Sequence, residues 1–353
     1  MVVLRSLALF VIQSVYVIFG EHDVRTTKSM SLEVFLKAIQ TEIASTKYGD
    51  SPVELYEPIE YLMSLGGKKM RPLLTVMATN IFVDDWQKSV KPALGVEVFH
   101  NFTLMHDDIM DAAPLRRGKP TVHEKWDTNV AILSGDVMLV CAYELMTAVD
   151  DKIFKHVIRR FNRTAAEVCE GQQWDMNFAT RNDVTEDEYI NMIRLKTSVL
   201  LGFALELGGL IAEAGEEATK LLYDFGTNIG IGFQLKDDIL DVYGDPEKFG
   251  KQVGGDIIEN KKTWLLLKAL EIGKGTPQET ELQAWIDAKE FDKEEKVKAV
   301  RAIYDKLNIR QLAEQKMNAF FDKGLKDLEK LNASTVRKQP LIELTKQLIE
   351  RES

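Results

Sequence analysis

Two groups of aspartates of the same design stand far apart in the chain: Asp107, Asp108 and Asp111, and Asp237, Asp238 and Asp241, each in the pattern DDxxD. Each closes an apolar stretch of helical period. On a helix the first and last carboxylates of such a group lie one turn apart on one face, with the middle one beside them. A lone acidic helix end is ordinarily a solvated surface. Two matched groups at the ends of apolar helices concentrate like charge, which costs stability unless something cationic neutralises it. Hard oxygen donors that leave room for water and phosphate suit Mg²⁺. The first expectation is a cavity in which two helices hold Mg²⁺ against a diphosphate.

Basic residues occur where such a cavity needs them. Arg116 and Arg117 follow the first group on a loop bounded by Pro114, Gly118 and Pro120, and make a fork for phosphate oxygens. Upstream, Gly66 and Gly67 precede Lys68, Lys69, Met70 and Arg71. Glycine lets a backbone approach an anion closely, and Lys68 and Arg71 add charge. Taken singly, either loop reads more readily as surface. Their number, beside acidic groups that need cations, shifts that balance. Lys251 and Lys261 lie beyond the second aspartate group. Lys196 and Thr197 interrupt an apolar helical stretch, where the bland reading of the lysine is snorkelling or pairing with a carboxylate. Gln234 stands one turn before Asp237 and Asp238 and faces the same cavity.

The elements that must position these residues are helical. No proline occurs between Pro120 and Pro246, and that stretch repeats a helical apolar period, as at Ile190, Ile193, Leu200, Leu201 and Leu205. Convincing alternation of period two is absent. Turn residues mark breaks at Gly66 and Gly67, Pro114 to Pro120, Arg181 to Asp183, Gly244 to Pro246, and Gly273 to Pro277. No linker divides the 353 residues. The expectation is a single large all-α domain over 30–353, built around a central cavity. Within it, Ala288 to Val300 reads as a solvated Lys/Glu helix face and Pro340 to Ser353 as a short amphipathic terminal helix.

Composition is that of an ordinary globular protein, 45% hydrophobic and 28% charged, and a net charge of −10 argues against nucleic acid as partner. Cys141 and Cys169 make no framework of bridges and fit a reducing cytoplasm. Residues 1–29 hold an apolar run from Leu7 to Phe19. Three readings compete for it: a membrane anchor, a signal peptide, or a start placed upstream of a true initiator at Met30. The last is favoured.

Together these motifs resemble the trans-isoprenyl diphosphate synthases, the polyprenyl synthetase family that makes farnesyl and geranylgeranyl diphosphates. GGKKMRP, HDDIMD, LRRGKPT, GQQWD, LKTS, GFQLKDDILD and GKQVGGDIIENK stand in the family's order, and the resemblance runs from about Met30 onward. It implies the isoprenoid synthase fold, a homodimer, and a head-to-tail condensation of isopentenyl diphosphate with an allylic diphosphate. It implies three Mg²⁺ ions held by Asp107, Asp111 and Asp237, with Asp108, Asp238 and Asp241 in support. Arg116, Lys196, Thr197, Gln234, Lys251 and Lys261 match positions that hold the allylic diphosphate. Lys68, Arg71, His100 and Arg117 match those that hold isopentenyl diphosphate, and Gln172 and Asp175 match polar positions lining the reaction centre. Without the family pattern His100 reads as a satisfied core histidine. Asp107, Asp111, Arg116, Lys196, Asp237 and Lys251 are the expected catalytic set.

The residue types suit that reaction. Ionisation of the allylic C–O bond leaves diphosphate and a resonance-stabilised cation, and cations stabilise the charge on the leaving group. The isopentenyl double bond then attacks, and a proton is lost, for which the departing diphosphate is the available base. No Ser, Cys or His nucleophile is required. The tail of the product should run down the first cluster's helix past Thr103 and Phe102, with Phe99 a further turn below. One aromatic beside a small residue, with no insertion in the cluster, resembles the geranylgeranyl (C20) type, with farnesyl (C15) as the alternative. A terpene cyclase would replace the second DDxxD, and a non-catalytic partner subunit would lose aspartates; neither departure is present. The basic tail that covers the isopentenyl site in some farnesyl synthases has no counterpart in the ending Leu348 to Ser353.

Overall fold

The computed structural model describes residues 31–245 and 254–350. The apolar N-terminal run, Met30 and Lys251 lie outside the described residues. The chain folds as helices, as expected. α1 (Leu32–Ser45), α2 (Val53–Ser64) and α3 (Met70–Phe82) lead through a 3₁₀ turn into α4 (Val90–Met110), which carries the first aspartate group at its end. Pro92 does not interrupt α4, because in the first turn its missing N–H has no intrahelical partner to lose. α5 (Val122–Lys125), α6 (Thr128–Met146) and α7 (Asp151–Phe178) follow. Asp127 caps α6 by accepting from the Val130 N–H at 2.9 Å, and Asp150 caps α7 in the same manner. α8 (Glu186–Ile193) starts with a reciprocal capping box between Thr185 and Glu188.

α9 (Val199–Ile211) is buried on nearly every face, as its uninterrupted apolar sequence requires. It packs against α3 and against α10 (Glu216–Tyr243), which carries the second aspartate group. α11 (Gly255–Ile258), α12 (Trp264–Gly273), α13 (Pro277–Asp287), α14 (Lys293–Lys306), α15 (Ile309–Lys330) and α16 (Thr335–Glu350) complete the chain, with α15 laid along α10. Phe99 of α4, Phe161 of α7 and Phe203 of α9 meet in the core, with ring centroids 5.1 and 5.8 Å apart. α6 is long and apolar enough to cross a membrane by length and composition alone. It packs instead along α4, and its outer face exposes Ile132, Leu133 and Val140.

Four details depart from the sequence reading. The loop after the first cluster is a hairpin, β1 (Leu115–Arg116) paired with β2 (Lys119–Pro120). Its two turn residues, Arg117 and Gly118, both have positive φ (53° and 74°), the backbone of a type I′ turn. Arg194–Ser198 is a π-helical segment rather than a continuation of α8. The Lys/Glu stretch is not uniformly solvated, since Lys296 is 1% exposed. The terminal helix begins at Thr335 and contains Pro340.

Candidate active site

The first aspartate group ends α4. The Asp111 N–H donates to the Asp107 carbonyl at 2.9 Å, so the helical turn that puts their side chains on one face is intact. Asp108 is buried and is gripped by Arg116, whose Nε and Nη2 donate to its two oxygens at 2.7 Å each. The hairpin therefore returns Arg116 onto the helix that precedes it. Support of a metal by Asp108 and capture of a diphosphate by Arg116 therefore draw on the two partners of one ion pair. Lys196 projects from the π segment to Asp175 of α7 at 2.6 Å and lies 3.7 Å from Asp107. That segment is clamped on both sides: a Cβ on Gly171 would lie 2.2 Å from the Lys196 backbone nitrogen, and one on Gly230 would lie 2.7 Å from Ser198 Cβ. A π turn inserts a residue into the helical ladder and re-aims what it carries, here Lys196 and Thr197.

The second group lies near the end of α10. Asp238 is buried and accepts a short hydrogen bond from the Tyr189 hydroxyl of α8. Asp241 Oδ2 accepts from the Asp256 N–H at 3.0 Å, and its carbonyl accepts from Gly254 N–H at 2.6 Å. Lys261 stands 3.9 Å from Asp256. Burial alone would lower the pKa of the Lys261 ammonium, but Asp256, Asp175, Asp238 and Asp111 together outweigh it and raise the pKa. Lys261 therefore senses both aspartate groups at once.

Electrostatically the site divides into two walls. On one, burial raises the Asp111 carboxyl, with Asp107 adding to it; burial and Asp256 push Asp238 far up and Asp241 up to about 6. On the other, burial lowers the Arg71 guanidinium to about 10 against the pull of Glu97, and Arg117 lowers it further. Burial also keeps His100 neutral, helped by Arg71, Arg117, Arg116 and Lys69. Arg117 donates to the Gly66 carbonyl at 2.5 Å, and its guanidinium passes 3.0 Å from where a Cβ on Gly67 would stand. Lys69, also in the glycine loop, turns inward to Glu97 at 3.1 Å. Carboxylates predominate on the first wall, where Arg116, Lys196 and Lys261 stand among them, and cations on the second, where Glu97 faces Lys69.

A cavity of about 280 Å³ opens beside the basic wall, lined by Lys68, Arg71 and Thr197, and Asp237 is the one member of the aspartate groups that lines it. Its apolar walls include Leu74, Leu201, Phe233 and, from α16, Leu341, Leu344 and Leu348. The terminal helix thus reaches the basic wall with leucines rather than bases. Gln234 is half-buried one turn before Asp238. Gln172 Nε2 lies 3.9 Å from Met110 Sδ, beside the first group. Phe102 is half-buried between Phe99 (5.7 Å) and His106 (4.8 Å), and Thr103 donates to the His100 carbonyl at 2.8 Å. The sequence reading missed Tyr189, Asp256, Gly171 and Gly230. Asp256 lies within GKQVGGDIIENK, where a carboxylate close before Lys261 was the available signal.

The donors of the acidic wall are all carboxylate oxygens, the chemistry of a hard divalent cation. Asp107 Oδ1 is buried and accepts no hydrogen bond. Among the described residues no three carboxylates converge tightly enough to enclose an ion by themselves. Carboxylates of this kind suit Mg²⁺, which keeps waters and takes phosphate oxygens as further ligands.

An all-helical chain with two facing aspartate groups and a basic counter-wall defines an isoprenoid-type diphosphate enzyme. The polyprenyl synthetase family model matches residues 52–304, and the chain belongs to that family, whose members elongate prenyl diphosphates and use Mg²⁺. It is 34% identical to a geranylgeranyl pyrophosphate synthase of Geoglobus acetivorans, over 90% of this chain and 97% of the relative. A geranylfarnesyl diphosphate synthase of Natronomonas pharaonis is 32% identical, over 73% of this chain and 82% of its own. A crystal structure of a geranylgeranyl pyrophosphate synthase superposes with a TM-score of 0.87 at 44% identity, covering 92% of this chain and all of that one.

Proposed function

We propose that this trans-prenyltransferase condenses isopentenyl diphosphate with allylic diphosphates and releases mainly the C20 product, geranylgeranyl diphosphate. The meeting of Asp237 with Lys68 and Arg71 on one cavity, beside two aspartate groups, carries the reading. The acidic wall takes Mg²⁺, in three ions, which when bound stabilises the departing diphosphate as a Lewis acid. Lys196 and Lys261 stand among the aspartates, where they hold the leaving oxygens and the charge that develops on them; Thr197, Arg116, Gln234 and Lys251 complete the allylic site. Lys68, Arg71, His100 and Arg117 hold isopentenyl diphosphate, with neutral His100 as a hydrogen-bond partner rather than a charge. The new C–C bond forms as the allylic cation is captured, and the proton released leaves with diphosphate. The apolar walls exclude water from the cation.

The half-buried Phe102 beside small Thr103, and geranylgeranyl synthases among the relatives, support C20 over C15. Incubation with Mg²⁺, isopentenyl diphosphate and each allylic primer, followed by product sizing, tests it. A C15 or C25 end product overturns the length, and no elongation overturns the reaction. The functional unit is a cytoplasmic homodimer of the domain 30–353, with 1–29 an extension; the apolar outer face of α6 supports the pairing. Leu133→Glu should shift sedimentation equilibrium from dimer to monomer, and a chain beginning at Met30 should keep its turnover.

A further inference from the structure

Lys296 is a buried lysine that the reaction does not use. Among the described residues no carboxylate forms an ion pair with its ammonium. Nζ donates to the Asn260 side-chain oxygen at 2.7 Å and to the Ile258 carbonyl at 3.3 Å, and it lies 4.1 Å from the centre of the Phe291 ring. A buried cation without a counter-ion costs stability, and an apolar side chain of its size would ordinarily serve the fold better. What it grips explains its place. Asn260 is left-handed (φ 53°), the residue immediately before Lys261. Its Nδ2 donates to the Ile286 carbonyl at 3.0 Å, so the one side chain is held from both α13 and α14.

The gripped segment is the one that closes on the second aspartate group. Its first residues bond to Asp241 through the Gly254 and Asp256 N–H groups. Its turn is closed by the Lys261 N–H on the Asp256 carbonyl at 2.9 Å. Gly254, at φ 85°, packs where a Cβ would lie 2.6 Å from Val297, the neighbour of Lys296 on α14. The segment is therefore fixed to α10 at its start and to α14 along its length, with Lys261 3.9 Å from Asp256 and within the electrostatic reach of Asp175, Asp238 and Asp111.

We propose that Lys296 is a positioning residue: through Asn260 it holds the 254–263 segment in the backbone that aims Lys261 between the two aspartate groups. The kinetic part rests on the reading of Lys261 as an allylic diphosphate ligand, so the test has two independent arms. Lys296→Met keeps the length and removes the donors. Asn260→Gly keeps the left-handed backbone and removes the side chain that is gripped. In the full chain, hydrogen exchange should rise by about tenfold or more in 254–263 and stay unchanged in the core of α10 and α14, since one charge-assisted bond is lost. In steady-state kinetics the KM for the allylic substrate should rise by about tenfold while that for isopentenyl diphosphate stays within about twofold. In a Lys261→Gln background, Lys296→Met should add almost nothing to the allylic KM, because both act at one point.

Unchanged exchange in 254–263, or a rise spread through α14, overturns the clasp. Multiplicative effects of Lys296→Met and Lys261→Gln overturn its action through Lys261. Raised exchange with an allylic KM that neither Lys261→Gln nor Lys296→Met moves leaves the clasp standing and overturns the role of Lys261. Should Lys296→Met not fold, Asn260→Gly decides by the same readouts.

Discussion

The Cα of Gly171 faces the backbone of Lys196 so closely that a Cβ there would lie 2.2 Å from the Lys196 nitrogen. α7 and the π segment are in backbone contact at the point where the lysine is delivered to Asp175 and Asp107. Gly171→Ala must push the segment away. Overpacking of this kind costs roughly 1–3 kcal/mol, and the displaced Lys196 should raise the allylic KM more than the isopentenyl KM. A melting curve beside kinetics with both substrates varied checks this. A loss of stability with both constants unchanged would detach the glycine from the site.

The metal wall gives the severest test of the site. Asp107→Ala and Asp237→Ala should each reduce turnover by several orders of magnitude, because cationic stabilisation of the leaving group is among the largest catalytic contributions. Folding should survive Asp107→Ala, whose carboxylate stands 3.7 Å from Lys196 and lacks the bidentate grip that joins Asp108 to Arg116. Steady-state turnover with saturating Mg²⁺ and a melting curve decide the matter, and near-normal kcat for either variant would contradict the assignment.

The raised carboxyl of Asp241 makes a prediction about pH. Its folded pKa, about 6, lies above the usual carboxylate value, because burial and Asp256 disfavour the charged form. The native chain therefore binds the proton more tightly than the unfolded chain. Stability from this group is fully present below the unfolded pKa and is lost as pH rises through about 6. Relative to Asp241→Asn, the metal-free chain should lose stability between about pH 4 and 7. Mg²⁺ with diphosphate should flatten that difference by stabilising the carboxylate. Denaturant melts across pH, with and without the ligands, would show it; a difference that grows in the opposite sense would rule it out.

Both aspartate groups, the helices that end in them and the basic loops were legible in the sequence, because period and charge are local signals. What escaped was set by approach between distant elements. The π turn at Arg194–Ser198 has no pattern of its own; it exists because Gly171 and Gly230 admit the backbone from either side. Tyr189 carries no signal in the sequence, and only the fold brings its hydroxyl to Asp238. Lys296 sits in a run of lysines and glutamates whose pattern says solvent. Its burial follows from the turn at Asn260, 36 residues earlier, and no local rule connects the two. Arg116 was legible as a phosphate fork, but its prior engagement by Asp108 was not, because the type I′ hairpin that folds it back was read as a loop.

Phe102 is the proposed floor of the product tail. Phe99 is 1% exposed and packs edge-on against Phe161, so it belongs to the core, whereas Phe102 one turn up is half-buried between Phe99 and His106. Phe99→Ala should therefore destabilise by roughly 3–5 kcal/mol. Phe102→Ala, which opens space beside a ring that is not fully packed, should cost less and lengthen the products beyond C20. Thr103→Phe adds a ring one residue nearer Asp107 and should shift the product toward C15, since residues four and five positions before the aspartate lie one turn below it. Among the described residues the Thr103 hydroxyl bonds only to the carbonyl of His100 in its own helix, so little else is lost with it. Product chromatography and melting curves on the three variants separate a floor from a core. A Phe102→Ala enzyme as destabilised as Phe99→Ala, with its product unchanged, would place Phe102 in the core and return the C15 reading to the front.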